Sequence, residues 1–305
     1  MTTDTGLSAD LSQEEMLARI RRLQIRARRL VRLLFLGEYH SVFRGRGLEF
    51  SEVREYIPGD EVRLIDWNVT ARMGSPYIKK YVEERELVLF LLVDVSASSG
   101  FSSTGTTKRE LGAELATLLA FAANANNDKV GLIAFSDRVE LYLPPKKGMQ
   151  HVLRLARELL YLEPKGRGTD IAVAGDFLMR VTKRPVVAFL VSDFHAKGYE
   201  PVLRLAARKH DLTAVSITDP RELELPRVGI IGLRDPETGS EMLIDTEDKR
   251  ERERYATSAT ESVAARRRTL AGLGIEEIAI RTDRSYVQPL MAYFRARGNR
   301  RRSIA

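Results

Sequence analysis

The segment Leu87-Val-Leu-Phe-Leu-Leu-Val93-Asp94-Val-Ser96-Ala-Ser98 joins a continuous apolar run to one carboxylate and two hydroxyls at alternate positions. A short apolar run of this kind is typical of a strand that is buried on both faces of a parallel sheet. Open α/β sheets bind ligands beyond the carboxyl ends of their strands. The segment therefore predicts a central strand that ends in a polar binding loop.

The same alternation of strand and helix continues along the chain. Further apolar runs lie at 129–135, 185–192 and 211–217, and a possible antiparallel edge strand lies at 139–143. Helical patterns fill 108–126, 149–162, 171–183, 199–209, 247–271 and 286–297, a last strand is expected at 275–281, and a hairpin turn is expected at 234–241. This order predicts an α/β fold with a mostly parallel sheet and helices on both faces.

The remaining segments complete the predicted domain organisation. Residues 1–36 are expected to form a basic amphipathic helix, because Ser12 and Glu15 make a capping box before an apolar stripe with spacings of three and four. Residues 37–86 are turn-rich and are expected to form a small β-containing block, in which we expect Trp67 to be a packing anchor against the α/β domain. The α/β domain is expected over 87–297, followed by a basic tail over 298–305.

Composition excludes several classes of protein. The chain has no cysteine, which excludes disulfides, thiolate metal sites and cysteine nucleophiles. Its polar, acidic start does not resemble a secretory signal, and no apolar run approaches the roughly 20 residues of a membrane span, so we expect a cytoplasmic protein. The net charge of +7 is concentrated in arginine-rich stretches at the two ends, which argues against an extended nucleic-acid-binding face.

Three loops of the predicted sheet edge together resemble a known metal site. Thr169 lies in a glycine-rich loop, and Asp193 follows the apolar run 185–192. With the Asp-x-Ser-x-Ser segment, they resemble the metal-ion-dependent adhesion site of von Willebrand factor A domains. That resemblance implies that Asp94, Ser96, Ser98 and Thr169 bind one Mg²⁺, or Mn²⁺ in its place, and that Asp193 supplies a third-loop carboxylate, often through water. It also implies that a partner protein supplies a carboxylate to the open coordination position.

A second resemblance covers more of the chain. The motifs Arg54-Glu-Tyr-Ile-Pro-Gly-Asp60 and Arg63-Leu-Ile-Asp-Trp67 resemble those of the bacterial family labelled domain of unknown function 58. That family joins such a block to a von Willebrand factor A-like domain and is often encoded beside a MoxR-type AAA+ ATPase. The resemblance spans roughly residues 37–283. It implies an adaptor, not an enzyme, that works with such an ATPase in the assembly or maturation of protein complexes.

Other interpretations of the same residues remain open at this stage. Asp94 and the two serines are also typical of a polar turn, and Asp170 is expected to cap a helix. A phosphatase with Asp94 as nucleophile is disfavoured because Ser96 stands where a second aspartate is expected as the acid. The arginine-rich ends leave open binding to an anionic nucleic acid or to a membrane surface.

Overall fold

The computed structural model describes Arg21, Ile25 and residues 49–82, 87–234 and 239–302. Arg21 and Ile25 are helical and exposed, while the rest of the expected N-terminal helix lies outside the described residues. Residues 303–305 of the expected basic tail also lie outside them. The last helix includes residues 298–302, so it extends beyond the end expected from the sequence.

A two-stranded antiparallel sheet forms the small block before the α/β domain. Strands β1 (Glu49–Glu55) and β2 (Tyr77–Val82) pair with each other. Between them lies the short helix α1 (Trp67–Met73), which begins after Asp66 because that carboxylate accepts hydrogen bonds from two backbone N–H groups of the first turn. Trp67 is 68% exposed, so the prediction that it anchors the block against the α/β domain is wrong.

The central sheet has six strands, of which five are parallel. In sequence order they are β3 (Val88–Asp94), β4 (Lys129–Phe135), β5 (Val139–Lys146), β6 (Val187–Ser192), β7 (Asp211–Thr218) and β10 (Glu276–Arg281). Their spatial order is β10-β7-β6-β3-β4-β5, with β5 antiparallel at one edge. The predicted mostly parallel sheet and its antiparallel edge strand are confirmed.

Helices cover both faces of this sheet. They are α2 (Lys108–Ala125), α3 (Met149–Tyr161), α4 (Ile171–Val181), α5 (Glu200–Lys209), α6 (Lys249–Gly272) and α7 (Val287–Arg302). Alternate residues of β3 face different cores, since Leu91 packs in the cluster with α2, α3 and α7, whereas Phe90 packs in the cluster with α4 and α5. Burial on both sides is the physical reason for the continuous apolar run.

A second hairpin lies outside the central sheet. Strands β8 (Ile230–Arg234) and β9 (Glu241–Asp245) pair antiparallel around the turn that the sequence predicts. Across the described parts of the chain, the helices are too short or too polar to cross a bilayer.

Candidate metal site

The first loop of the candidate site begins where β3 ends at Asp94. One carboxylate oxygen of Asp94 accepts a hydrogen bond from the backbone N–H of Ser96 at 2.9 Å, and the other accepts one from the Ser192 hydroxyl at 2.6 Å. The chain then enters a 3-10 turn, and the Ser96 and Ser98 hydroxyl oxygens lie 3.1 Å apart. These bonds fix the orientation of the carboxylate beside the two hydroxyls.

Asp94 is a buried carboxylate in an unfavourable environment. Burial raises its pKa to about 6, and the negative charge of Asp193 adds to this rise. Within the described residues, no lysine, arginine or histidine forms an ion pair with Asp94. A cation placed beside Asp94 would therefore relieve an electrostatic penalty that the folded chain otherwise carries.

Asp193, directly after β6, has a cation of its own. The Lys108 ammonium donates to Asp193 Oδ2 at 2.7 Å and to Glu222 Oε1 at 2.5 Å. The other Asp193 oxygen accepts from the backbone N–H of His195 at 3.2 Å. Burial acts in the opposite direction, but the positive charge of Lys108 holds the pKa of Asp193 below its usual value. The two predicted aspartates thus share one small cavity but differ in charge compensation.

Thr169 lies in the loop before α4 and is partly buried. This loop is tied to the first loop by a hydrogen bond from the Ala97 N–H to the Arg167 carbonyl at 3.1 Å. It also approaches the end of β4 closely, because a Cβ on Gly166 would lie 2.2 Å from the Ser136 hydroxyl oxygen. A side chain at this position would therefore force the side chains of Ser136 and Asp137 to move. Asp170 accepts a hydrogen bond from the N–H of Ala172 and caps α4, which confirms the capping prediction.

The structure therefore brings four of the predicted ligands close together. A backbone hydrogen bond ties the loop of the fifth, Thr169, to the first loop. Asp94, Ser96 and Ser98 are grouped by hydrogen bonds, and Asp193 lines the same cavity as Asp94. Two neighbouring ligands of an octahedral Mg²⁺ with bonds of about 2.1 Å lie roughly 3 Å apart. The 3.1 Å between the two serine hydroxyls matches that spacing, so these donors fit the ion that the fold implies.

Sequence reasoning missed the charged residues that surround Asp193. Lys108 is 85 residues from Asp193 and 114 residues from Glu222 in the chain, so no local sequence pattern links these residues. A weak signal existed at Lys108, because a lysine in the first turn of a helix opposes the helix dipole and therefore needs a specific reason. Ligand atoms of Asp193, His195 and Glu222 lie within 4.8 Å of one another and form a second cluster that could hold a metal ion.

A fully buried carboxylate, Asp219, organises the loops on this side. It accepts hydrogen bonds from the backbone N–H groups of Ser103 and Arg221 at 2.9 Å each and from the Thr282 hydroxyl at 3.0 Å. The Ser103 hydroxyl donates to it as well. These hydrogen bonds hold the pKa of Asp219 below its usual value despite burial, so this carboxylate is structural.

Comparison with known proteins places the chain in a family. The model of the family described as protein of unknown function DUF58 matches residues 52–265. The chain belongs to this family. Two relatives are uncharacterised proteins of Mycobacterium bovis and Mycobacterium tuberculosis, and each is 31% identical to this chain over 296 residues. In each case the match covers 95% of this chain and 92% of the relative.

Solved structures similar to this DUF58 protein share only low sequence identity. BatB from Bacteroides thetaiotaomicron has a TM-score of 0.43 and 16% identity, and covers 70% of this chain and 99% of its own. An aerotolerance-related membrane protein from Bacteroides fragilis has a TM-score of 0.44, 15% identity and the same coverage. The VWA domain of SpRpn10 has a TM-score of 0.33 and 11% identity, over 44% of this chain and 76% of its own. The strand order and the helices on both faces make the fold von Willebrand factor A-like, as predicted.

Proposed function

We propose that this DUF58 protein is a protein-interaction module that binds Mg²⁺ and uses the ion to bind a carboxylate of a partner protein. Asp94, Ser96, Ser98, Thr169 and Asp193 are its proposed ligands, and Mn²⁺ suits the same oxygen donors. The observation that carries the proposal is the pair of hydroxyls 3.1 Å apart beside Asp94, a buried carboxylate without an ion-pair partner among the described residues.

The charge of the surrounding cavity supports a divalent cation. Asp94, Asp193 and Lys108 line this cavity, and the Glu222 carboxylate lies next to it, against the Lys108 ammonium. With all four groups ionised, two negative charges remain, which is the charge that one divalent ion balances. A bound ion supplies positive charge to an incoming anionic oxygen, and an acidic side chain of a partner protein has that chemistry.

In this proposal, some residues bind the ion and others orient its ligands. Asp94 and the two serines hold the ion, while the N–H of Ser96 and the hydroxyl of Ser192 orient the Asp94 carboxylate. Exposed residues on the loops of the same edge, Arg167 and His195, add donors for an acidic partner. The proposal assigns no catalytic step to the site.

The identity of the partner is part of the proposal and rests on the family resemblance. We infer that it is a MoxR-type AAA+ ATPase, or a protein on which that ATPase acts, and that the two cooperate in the cytoplasm during assembly or maturation of protein complexes. The absence of cysteine is compatible with a reducing compartment.

The test is a pull-down of the purified MoxR-type ATPase from the same organism with the tagged chain. We expect recovery in Mg²⁺, loss of recovery in EDTA and restoration by Mn²⁺. Asp94→Asn should remove the Mg²⁺-dependent fraction because it neutralises the carboxylate ligand while keeping the side-chain shape. Asp176→Asn is the matched control, because it makes the same change at an exposed position on α4.

Two outcomes would count against the proposal. Equal recovery in Mg²⁺ and EDTA would remove the role of the ion, and equal recovery with Asp94→Asn would remove the role of this site. Isothermal titration of the chain alone with MgCl₂ measures the ion without the partner, so a failed pull-down with normal Mg²⁺ uptake would reject only the MoxR-type partner.

A further inference from the structure

Lys108 is the most deeply buried cation at the carboxyl edge of the sheet within the part of the chain that the structure describes. Its side chain is 3% exposed, and its ammonium lies 2.7 Å from Asp193 and 2.5 Å from Glu222. The ammonium is therefore held between two carboxylates.

The position of Lys108 is unfavourable for a lysine because of both the helix dipole and burial. Thr107 caps α2 through a capping box with Glu110, so Lys108 is the first residue of the helix. The helix dipole repels a cation at this end, and burial of an ammonium carries a desolvation penalty. Asp193 and Glu222 offset both penalties, which indicates that the charge serves the site and not the helix.

The ammonium contacts two of three residues whose ligand atoms lie close together. The ligand atoms of Asp193, His195 and Glu222 lie within 4.8 Å of one another, and the Lys108 nitrogen is within hydrogen-bonding distance of two of these residues. We propose that the Lys108 ammonium takes the place of a second metal ion between Asp193 and Glu222, and so limits the site to one divalent ion beside Asp94. This inference rests on the proposed function for the ion beside Asp94.

The charges of the surrounding groups explain how Lys108 alone limits the site to one divalent ion. Without Lys108, the carboxylates of Asp94 and Asp193 in the cavity and of Glu222 next to it leave three negative charges, which exceeds the charge of one divalent ion. A second divalent ion would then be drawn to Asp193 and Glu222, where the nearby His195 ring adds a nitrogen ligand. With Lys108 present, the same place repels a divalent ion.

The experiment measures the number of Mn²⁺ ions bound to the full chain by titration calorimetry and by electron paramagnetic resonance. The wild-type chain should bind one ion, and Lys108→Met should bind two, because methionine keeps the apolar stem and removes the charge. Lys108→Met combined with Glu222→Gln should return to one ion, since it removes one positive and one negative charge together. Lys197→Met, which makes the same change at an exposed position on the loop after Asp193, should keep one ion.

Every other outcome either supports or contradicts the role proposed for Lys108. If the wild-type chain binds one ion, a single ion in Lys108→Met, or two ions in the double variant, would overturn the inference. If the wild-type chain binds no Mn²⁺, the proposed function fails, yet one ion in Lys108→Met that disappears in the double variant would still support the role of Lys108. If Lys108→Met is unfolded in EDTA by circular dichroism, refolding on addition of Mn²⁺ supports the inference, and failure to refold contradicts it.

Discussion

Replacement of Asp94 by asparagine is expected to stabilise the metal-free protein, although the same change removes a proposed ligand. In the folded chain the pKa of this carboxyl rises from 3.8 to about 6, because the group is buried and lies near the negative charge of Asp193. One pKa unit corresponds to about 1.4 kcal/mol, so ionised Asp94 lowers the free energy of unfolding by on the order of 3 kcal/mol at pH 7.

The sign of this effect gives the prediction a pH signature. The folded-state pKa is the higher one, so the penalty is fully present above about pH 6 and disappears as the pH falls through 3.8. Asp94→Asn should therefore be more stable than the wild-type protein at pH 7 in EDTA. At pH 4 the two proteins should have nearly equal free energies of unfolding.

Urea denaturation followed by circular dichroism, at both pH values, measures this difference. Asp176→Asn is the control and should lie within about 0.5 kcal/mol of the wild-type protein, as exposed substitutions usually do. Addition of Mg²⁺ at a hundred times its dissociation constant should stabilise the wild-type protein by about 2.7 kcal/mol and leave Asp94→Asn unchanged. A metal-free Asp94→Asn protein that is no more stable than wild type at pH 7 would refute the electrostatic reasoning.

Three further predictions concern the framework of the site and the fold. His210 is buried and its pKa falls to about 4, so the free energy of unfolding should decrease by at most about 3 kcal/mol between pH 6.5 and pH 4, and His210→Gln should lose this part of the pH dependence in urea titrations. Gly166→Ala should weaken Mg²⁺ binding in calorimetry at least about tenfold, because the new methyl group would lie 2.2 Å from a neighbouring hydroxyl oxygen, whereas Gly168→Ala, with its nearest contact at 3.8 Å, should bind normally. Arg266→Met should lower the free energy of unfolding by about 1–3 kcal/mol in urea, because the partly buried carboxylate of Glu277 loses the guanidinium at 3.0 Å but keeps Arg267 at 3.7 Å and the Ser216 hydroxyl at 2.6 Å.

The elements of the α/β domain could be predicted from sequence because burial on both faces leaves a local pattern. The run that becomes β3 is continuous in the chain, and its end at Asp94 agrees with the predicted change from apolar to polar residues. Asp94, Ser96 and Ser98 are close in sequence, so the motif indicated that they meet, although Ser98 lies in a 3-10 turn and not in the extended segment that alternation assumes. Thr169 was predicted from its glycine-rich loop before a helix and Asp193 from its place after the apolar run 185–192, both through the resemblance to von Willebrand factor A domains.

The contacts that set the charge of the site could not be predicted in the same way. Lys108 contacts Glu222 because α2 and the turn after β7 begin at the same edge of the sheet. No periodicity in the sequence indicates this contact. The exposed position of Trp67 was missed for a different reason. An aromatic side chain favours burial on average, but the Asp66 cap places this residue in the first turn of a short surface helix.

The burial of α2 restricts the positions at which the site can change between relatives. Most of this helix, from its first residue Lys108 onwards, lies inside the domain, so the ammonium cannot be displaced without shifting part of the core. The proposed metal site is thus preformed and would not need to reorganise on binding a partner. Differences in target preference among relatives should accordingly accumulate at exposed loop positions such as Arg167 and His195, while the charged centre beneath them stays the same.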